Sequence, residues 1–210
     1  MITIKNYKTN EVIIQAESLQ SIKWQNHDFS YADLSGLNLS GLDLSGVNLS
    51  YANFNDANCS GVNLSYAKMP WAKMLGVVLE EAILNKANMI AVNLTGSNLR
   101  KADMLHTDLT DAVMVYCDFT ASLMNKAFLQ DANLTGSNLT RASLRGAVLT
   151  NTNLSKTNIT KARFDKAILN KPTIDMADLT DEQKEYLFNA VFSTTERKLT
   201  HDHYQKLQNQ

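Results

Sequence analysis

The stretch Ala32-Asp33-Leu34-Ser35-Gly36-Leu37-Asn38-Leu39-Ser40-Gly41-Leu42-Asp43-Leu44-Ser45-Gly46 runs through one five-residue unit three times. Each unit centres on a Leu, preceded by Asp or Asn and followed by Ser-Gly. Extended along the chain, the central position reads Phe29, Leu34, Leu39, Leu44, Leu49, Phe54, Cys59, Leu64 and Met69, and it continues unslipped to Ile174 and Leu179. Of these thirty-one consecutive units, only Cys59 is not a large apolar residue at the centre. Two places earlier stands a small residue, as in Ala32, Ala52, Ala57, Ala67, Ala72, Ala82 and Ala87, with Leu37 and Leu42 as early exceptions. A period this strict marks an array built from one structural unit.

A period of five fits neither the 3.6 of a helix nor the 2 of a strand. It fits a chain that turns a corner every five residues, so that four sides close a square coil of 20 residues. Such coils stack at roughly 4.8 Å, the spacing of paired strands. The large central residue and the small one two before it both point inward, and alternating large and small layers fill a narrow core. Asn, Asp, Ser, Thr and Gly supply turn chemistry at the corners.

The units Ala32-Asp33-Leu34-Ser35-Gly36, Ala52-Asn53-Phe54-Asn55-Asp56 and Ala132-Asn133-Leu134-Thr135-Gly136 resemble the A(D/N)LXX consensus of the pentapeptide repeat proteins. The resemblance implies an all-β solenoid, a right-handed quadrilateral β-helix, over residues 27–181. That length corresponds to about eight coils and a rod roughly 37 Å long. Leu19 and Trp24 keep the register, so the helix is expected to start a side or two earlier.

Open coil ends invite edge-to-edge association unless they are capped. Residues 1–26 read as an N-terminal cap of strand, turn and strand: Ile2 to Tyr7, Lys8 to Glu11, Val12 to Gln15. Residues 182–210 read as a helical cap, opened by Thr180 with Gln183 three places on in a capping box. A helix is expected through Phe192, and a more polar one from about Thr194 to Leu207. The first is unusually apolar, with Tyr186, Leu187, Phe188, Val191 and Phe192. These side chains either seal the last coil or form a twofold dimer interface, and the resemblance supports the second because several members pair through their C-terminal ends.

The 210 residues suit one domain with short appendages, and a net charge of −1 is not that of a general nucleic-acid binder. Direct nucleic-acid binding is therefore not expected. No apolar run approaches the roughly 20 residues of a membrane span, and Met1-Ile-Thr-Ile-Lys-Asn-Tyr7 lacks the apolar stretch of a secretory signal. Cys59 and Cys117 both fall in inward slots about three coils apart, too far for a disulfide. Two buried free thiols fit a reducing cytoplasm.

No Gly-rich phosphate loop, nucleophile elbow or metal-ligand spacing occurs. His27 occupies a small inward slot and reads as a core or cap histidine, while His201 and His203 sit in a polar tail. Carboxylates such as Asp103, Asp108 and Asp118 lie one per side, facing different ways. A straight square rod offers no concavity in which groups converge, so no enzymatic activity, cofactor or metal is expected.

Because position fixes direction, outward exceptions to the consensus form columns in steps of 20. Tyr31, Tyr51 and Trp71 line up on one corner. Phe128, Val148 and Ile168 line up where Asp or Asn is usual, with Leu123 on the neighbouring side. A third departure is the coil holding Trp71, Leu75, Val78, Ile83 and Ile90. Each column has two readings: stacking or cover within the chain, or anchoring of a partner, for which aromatics are favoured. Lys156, Lys161, Lys166 and Lys171 ring the last coil one per side, which fits solubility better than phosphate binding. The expected function is a non-catalytic, rigid rod presenting a surface to a cytoplasmic protein. The resemblance also implies an alternative, since some members bind DNA gyrase or topoisomerase IV and confer quinolone resistance. The mixed charge and the unbroken register both depart from that subgroup.

Overall fold

In the computed structural model the described residues are 1–174 together with Thr180, Asp181, Lys184 and Leu187. From Asp28 to Thr173 the backbone forms parallel bridges between residues i and i+20, one every five residues, for a little over seven turns. Four bridges per turn make a four-sided coil. Hydrogen bonds run from each coil to the next: Phe54 N–H donates to the Lys73 carbonyl at 2.7 Å, and Asn53 N–H to the Ala32 carbonyl at 2.9 Å. The backbone is thereby satisfied without any long strand.

The corners have one geometry. Every fifth residue from Tyr31 to Lys171 has a positive φ, between 52° and 72°. Except at Cys117, whose N–H donates to Ser137 Oγ at 2.9 Å, and Pro172, which has no N–H, an amide across these corners donates back to the carbonyl three residues earlier, as Ala32 does to Phe29 at 3.0 Å. That combination is the type II turn, which places its third residue in the left-handed region. Eight of these corners are Gly and twenty-one are not. A non-glycine residue there costs roughly 1–2 kcal/mol; the ladder on both sides of each corner holds it in place.

The core is the expected pair of layers. All central residues from Phe29 to Phe164 are buried, and the small residues two places before them lie between. Where the small residue is polar, its hydroxyl usually finds a carbonyl in the coil before, although the buried Ser122 Oγ has no such partner among the described residues. Ser97 donates to Met74, Thr107 to Leu84, Ser137 to Met114 and Thr152 to Leu129, at 2.6–2.7 Å. Leu37 and Leu42, the oversized exceptions, are only half-buried and pack at the N-terminal end.

That end is capped by a hairpin. Strands β1 (Ile2–Lys5) and β2 (Val12–Ala16) pair antiparallel, with Ile2 opposite Ala16 and a register irregularity between Ile4 and Lys5. The chain then crosses to the first coil: Asn6 bridges Ala32, Asp33 N–H donates to the Lys5 carbonyl at 2.8 Å, and Tyr7 N–H to the Tyr31 carbonyl at 3.0 Å. Leu19 and Trp24 are buried, yet each begins a 3-10 turn (Leu19–Ser21, Trp24–Asn26) rather than a side of the ladder. Trp24 closes the core by lying on Phe29, with ring centroids 4.6 Å apart. His27 is a correction to the sequence reading: it is exposed and touches the Phe29 ring edge-on from outside. Trp24 fills the core end, and the 3-10 turn delivers His27 to the surface.

At the far end Asp181, Lys184 and Leu187 are helical, Lys184 N–H donates to the Thr180 carbonyl at 2.9 Å, and Leu187 is buried in the core. The rest of the expected cap, including Tyr186, Phe188, Val191 and Phe192, lies outside the described residues.

Candidate interaction surface

Three positions of each unit face outward, and the sequence sets a default for them. The Asp or Asn before the central residue accepts, through Oδ1, the amide and often the hydroxyl two places on. Asn38 does so from Ser40 N–H at 3.2 Å and Ser40 Oγ at 2.7 Å, and Asn138 from Thr140 at 3.0 and 2.6 Å. This local clamp explains the (Asp/Asn)-Leu-(Ser/Thr) pattern. In the first coils the clamps also ladder, as in Asn48 Nδ2 donating to Asp28 Oδ1 at 2.8 Å. The hydrogen bonds with Ser45 hold the Asp43 carboxyl below its usual range. Burial opposes the same effect at Asp118, but the bonds from Thr120 and Arg100 outweigh it and its pKa is also lowered.

Departures from this default are the candidates for recognition. On one corner Tyr31 and Tyr51 stack with centroids 4.7 Å apart and planes within 1°, and Tyr51 stacks on Trp71 at 5.2 Å and 7°. The spacing of the rings matches that of the coils, as the addition of 20 requires. What the register could not show is Tyr7, which belongs to the hairpin. Its ring meets Tyr31 edge-on at 6.1 Å, and its hydroxyl donates to the Tyr51 carbonyl at 2.9 Å. Lys8 lies over Tyr31, 4.2 Å from the ring centroid, and Lys73 over Tyr7 at 4.7 Å. Burial raises the Tyr7 phenol above its ordinary pKa. Tyr31 and Tyr51 are thus the dock of the N-terminal cap and are half-buried, whereas Trp71 at the open end of the stack is 51% exposed.

The second column is of a different kind. Phe128 bridges Val148 and Val148 bridges Ile168 on one side of the rod. Phe128 is 40% and Ile168 55% exposed, Val148 is half-buried, and Leu123 on the adjoining side is 46% exposed. In the coil of Trp71, Leu75 and Ile83 are exposed while Val78 and Ile90 are half-buried. The lysines at 156, 161, 166 and 171 occupy four successive corners, all with positive φ, and so point four ways. Arg145 and Arg163 both approach Asp165, at 3.5 and 3.4 Å.

The two thiols are free and buried, and burial pushes each up to about 12. Cys117 donates to the Leu94 carbonyl as the hydroxyls in its row do. Such thiols are inert nucleophiles. Among the described residues no cluster of His, Cys, Asp and Glu is arranged to hold a metal ion.

Eight copies of the pentapeptide repeat model match the chain, together spanning residues 18–181. The chain belongs to the pentapeptide repeat family. The match begins at Ser18, where Leu19 first enters the register. Solved pentapeptide repeat structures resemble this one. They include HetL, involved in heterocyst differentiation regulation, from the cyanobacterium Nostoc sp. strain PCC 7120, at 25% identity, covering 67% of this chain and 84% of that one with a TM-score of 0.27. A protein of the Arabidopsis thaliana thylakoid lumen is 26% identical over 78% of this chain and 84% of that one, with a TM-score of 0.23. QnrB1, a plasmid-mediated fluoroquinolone resistance protein, is 16% identical over 77% of this chain and 87% of that one, with a TM-score of 0.37. No curated protein sequence matches the chain significantly. Members of this family form the right-handed quadrilateral β-helix, the four-sided coil described above.

Proposed function

We propose that this pentapeptide repeat protein is a non-catalytic scaffold, a rigid rod whose side chains engage a protein partner in the cytoplasm. One observation carries the reading: Leu123, Phe128, Val148 and Ile168 stand on adjoining sides at positions the repeat most often gives to Asp or Asn. The fold does not need them, since the ladder is the same with Asn in their place. Contiguous apolar surface on an otherwise polar protein is characteristic of interaction sites, and Phe is favoured in their cores. The two unpaired thiols support a reducing compartment.

The topoisomerase-directed role is a narrower form of the same reading, and no observation of this surface favours it. Glu81 pairs with Lys101 at 2.8 Å and Asp118 with Arg100 at 3.2 Å, so one side of the rod interleaves both signs. A homodimer through the C-terminal segment would have to use Tyr186, Phe188, Val191 and Phe192, because Leu187 is in the core. A monomeric mass by light scattering at tens of micromolar would remove it.

The test replaces Phe128, Val148 and Ile168 together with Asn, the residue the repeat prefers. The partner retained by the wild-type rod, purified and reassembled with it, should be lost by the variant while the melting temperature stays within a few degrees. Retained binding sinks the proposal, and so does a collapse of the melting temperature.

A further inference from the structure

The aromatic corner stops abruptly, and the residues beyond it are chemically specific. The column reads Tyr31, Tyr51, Trp71, Ala91, Asp111, Asp131. Its rings are nearly parallel and keep to the coil spacing, so the second face of Trp71 looks along the rod toward the next rung. That rung holds only the methyl group of Ala91, in the same corner conformation, with φ 54° against 56° for Trp71. Among the described residues no other ring or ammonium group lies over that face. One rung further is Asp111, exposed, with no ion pair among the described residues. Asp131 comes next, its carboxylate accepting from Asn151 Nδ2 at 3.0 Å.

We propose that the vacant rung at Ala91 seats the guanidinium of an arginine presented by a protein partner, stacked on Trp71 and paired with Asp111. This rests on the reading of the rod as a protein-binding scaffold and names a second contact on it. The dimensions agree: two coil spacings, about 10 Å, separate the Trp71 and Asp111 corners. A planar group in contact with the indole at about 3.5–4 Å fills the first part of that interval, and the rest is within the length of an Asp111 side chain turned toward it plus one hydrogen bond of about 2.8 Å. Arginine suits it better than lysine, because its planar guanidinium stacks on an aromatic face and offers paired donors to a carboxylate. The opposite end of the same column already holds a cation, Lys8 over Tyr31. Nucleobases are also planar, but their phosphates would lie beside Asp111 and Asp131.

The probe is N-acetyl-arginine methylamide, monitored through the indole N–H resonance of Trp71 in NMR. The chain has two tryptophans, and Trp24, buried and bonded to the Leu19 carbonyl at 3.2 Å, is the internal reference. The Trp71 signal should shift saturably in the millimolar range while Trp24 stays fixed, and the lysine analogue should be several-fold weaker. Asp111→Asn should weaken the arginine response several-fold and remove most of its salt dependence. Ala91→Tyr should abolish it with the melting temperature intact, since Tyr already occupies this conformation at positions 31, 51 and 66. An unmoved Trp71 signal overturns the proposal. An equal response to lysine or to a nucleoside monophosphate does so too, as does one that survives Ala91→Tyr. None of these outcomes bears on the Phe128 column, so failure here and failure of the scaffold reading are read separately.

Discussion

The first coils and the later ones share one backbone and carry different surfaces. From Asp28 to Asn63 all eight outward positions before the central residue are Asp or Asn; from Lys68 on they include Lys73, Val78, Ile83, Val113, Leu123, Phe128, Val148, Arg163 and Ile168. The ladder does not register the change. Leu129 N–H reaches the Val148 carbonyl at 2.8 Å, and Leu34 N–H reaches the Asn53 carbonyl at 2.8 Å as well. Outward side chains here are therefore nearly free of folding constraint, and their departures from the default report on contacts beyond the coil. The N-terminal departure, the Tyr31–Tyr51 stack, has its contact within the chain, namely the hairpin through Tyr7. The later column keeps Phe128 and Ile168 exposed.

The sharpest way to break this contrast is to set an inward aromatic against an outward one. Phe54→Ala empties a fully buried site and should lower stability by about 3–5 kcal/mol. Phe128→Asn restores the default on an exposed position and should change stability by no more than about 0.5 kcal/mol. Chemical denaturation of both variants beside the wild type reads the difference. Comparable losses would make the outward column structural.

A finer comparison lies within the aromatic corner. Tyr51 is stacked on both faces and supports the hairpin through its carbonyl, whereas Trp71 has one neighbour. Each stacked pair contributes about 0.5–1.5 kcal/mol beyond simple burial, so Tyr51→Ala should lose roughly twice what Trp71→Ala loses. Tyr7→Phe removes only the bond to the Tyr51 carbonyl and should lose about 0.5–1.5 kcal/mol, read as faster amide exchange in β1 and β2. If Trp71→Ala is the most damaging of the three, the open end of the stack is a structural element and the seat at Ala91 is lost with it.

This geometry explains which features were legible in the sequence. A period of five made inward and outward predictable, and steps of 20 placed Tyr31, Tyr51 and Trp71, and Phe128, Val148 and Ile168, in columns. Tyr7 escaped because it lies outside the register, and no count of five or 20 leads from it to Tyr51. His27 does not follow the register because the ladder begins only at Asp28, after a 3-10 turn in which Trp24 already fills the core end. The left-handed corners were hidden because only eight of twenty-nine are Gly. Local preference predicts glycine or Asn at such positions; cooperative pairing between coils overrides it at Lys, Tyr, Asp and Trp. Part of the signal for the two candidate contacts was in the columns, but the exposure that separates Trp71 from Tyr31 needed the hairpin.

The smallest expected effect tests whether the outward clamps matter at all. Asp43 and Asp118 have carboxyls held below their unfolded values. For a group lowered in the folded state, the stabilisation is complete above the unfolded pKa, near 3.9, and is lost as pH falls through the lower folded value. Stability should therefore be flat in this respect above about pH 5 and decline below about pH 4. Asp118→Asn keeps the Oδ1 that accepts from Thr120 but has no proton to take up. It should be slightly less stable than wild type at neutral pH, where the contact with Arg100, half-exposed and screened, contributes at most about 1 kcal/mol. As the pH drops below 4 the two melting curves should converge. If instead they run parallel down to pH 2, the Asp118 clamp is electrostatically silent, and the default Asp or Asn at this position serves the turn alone.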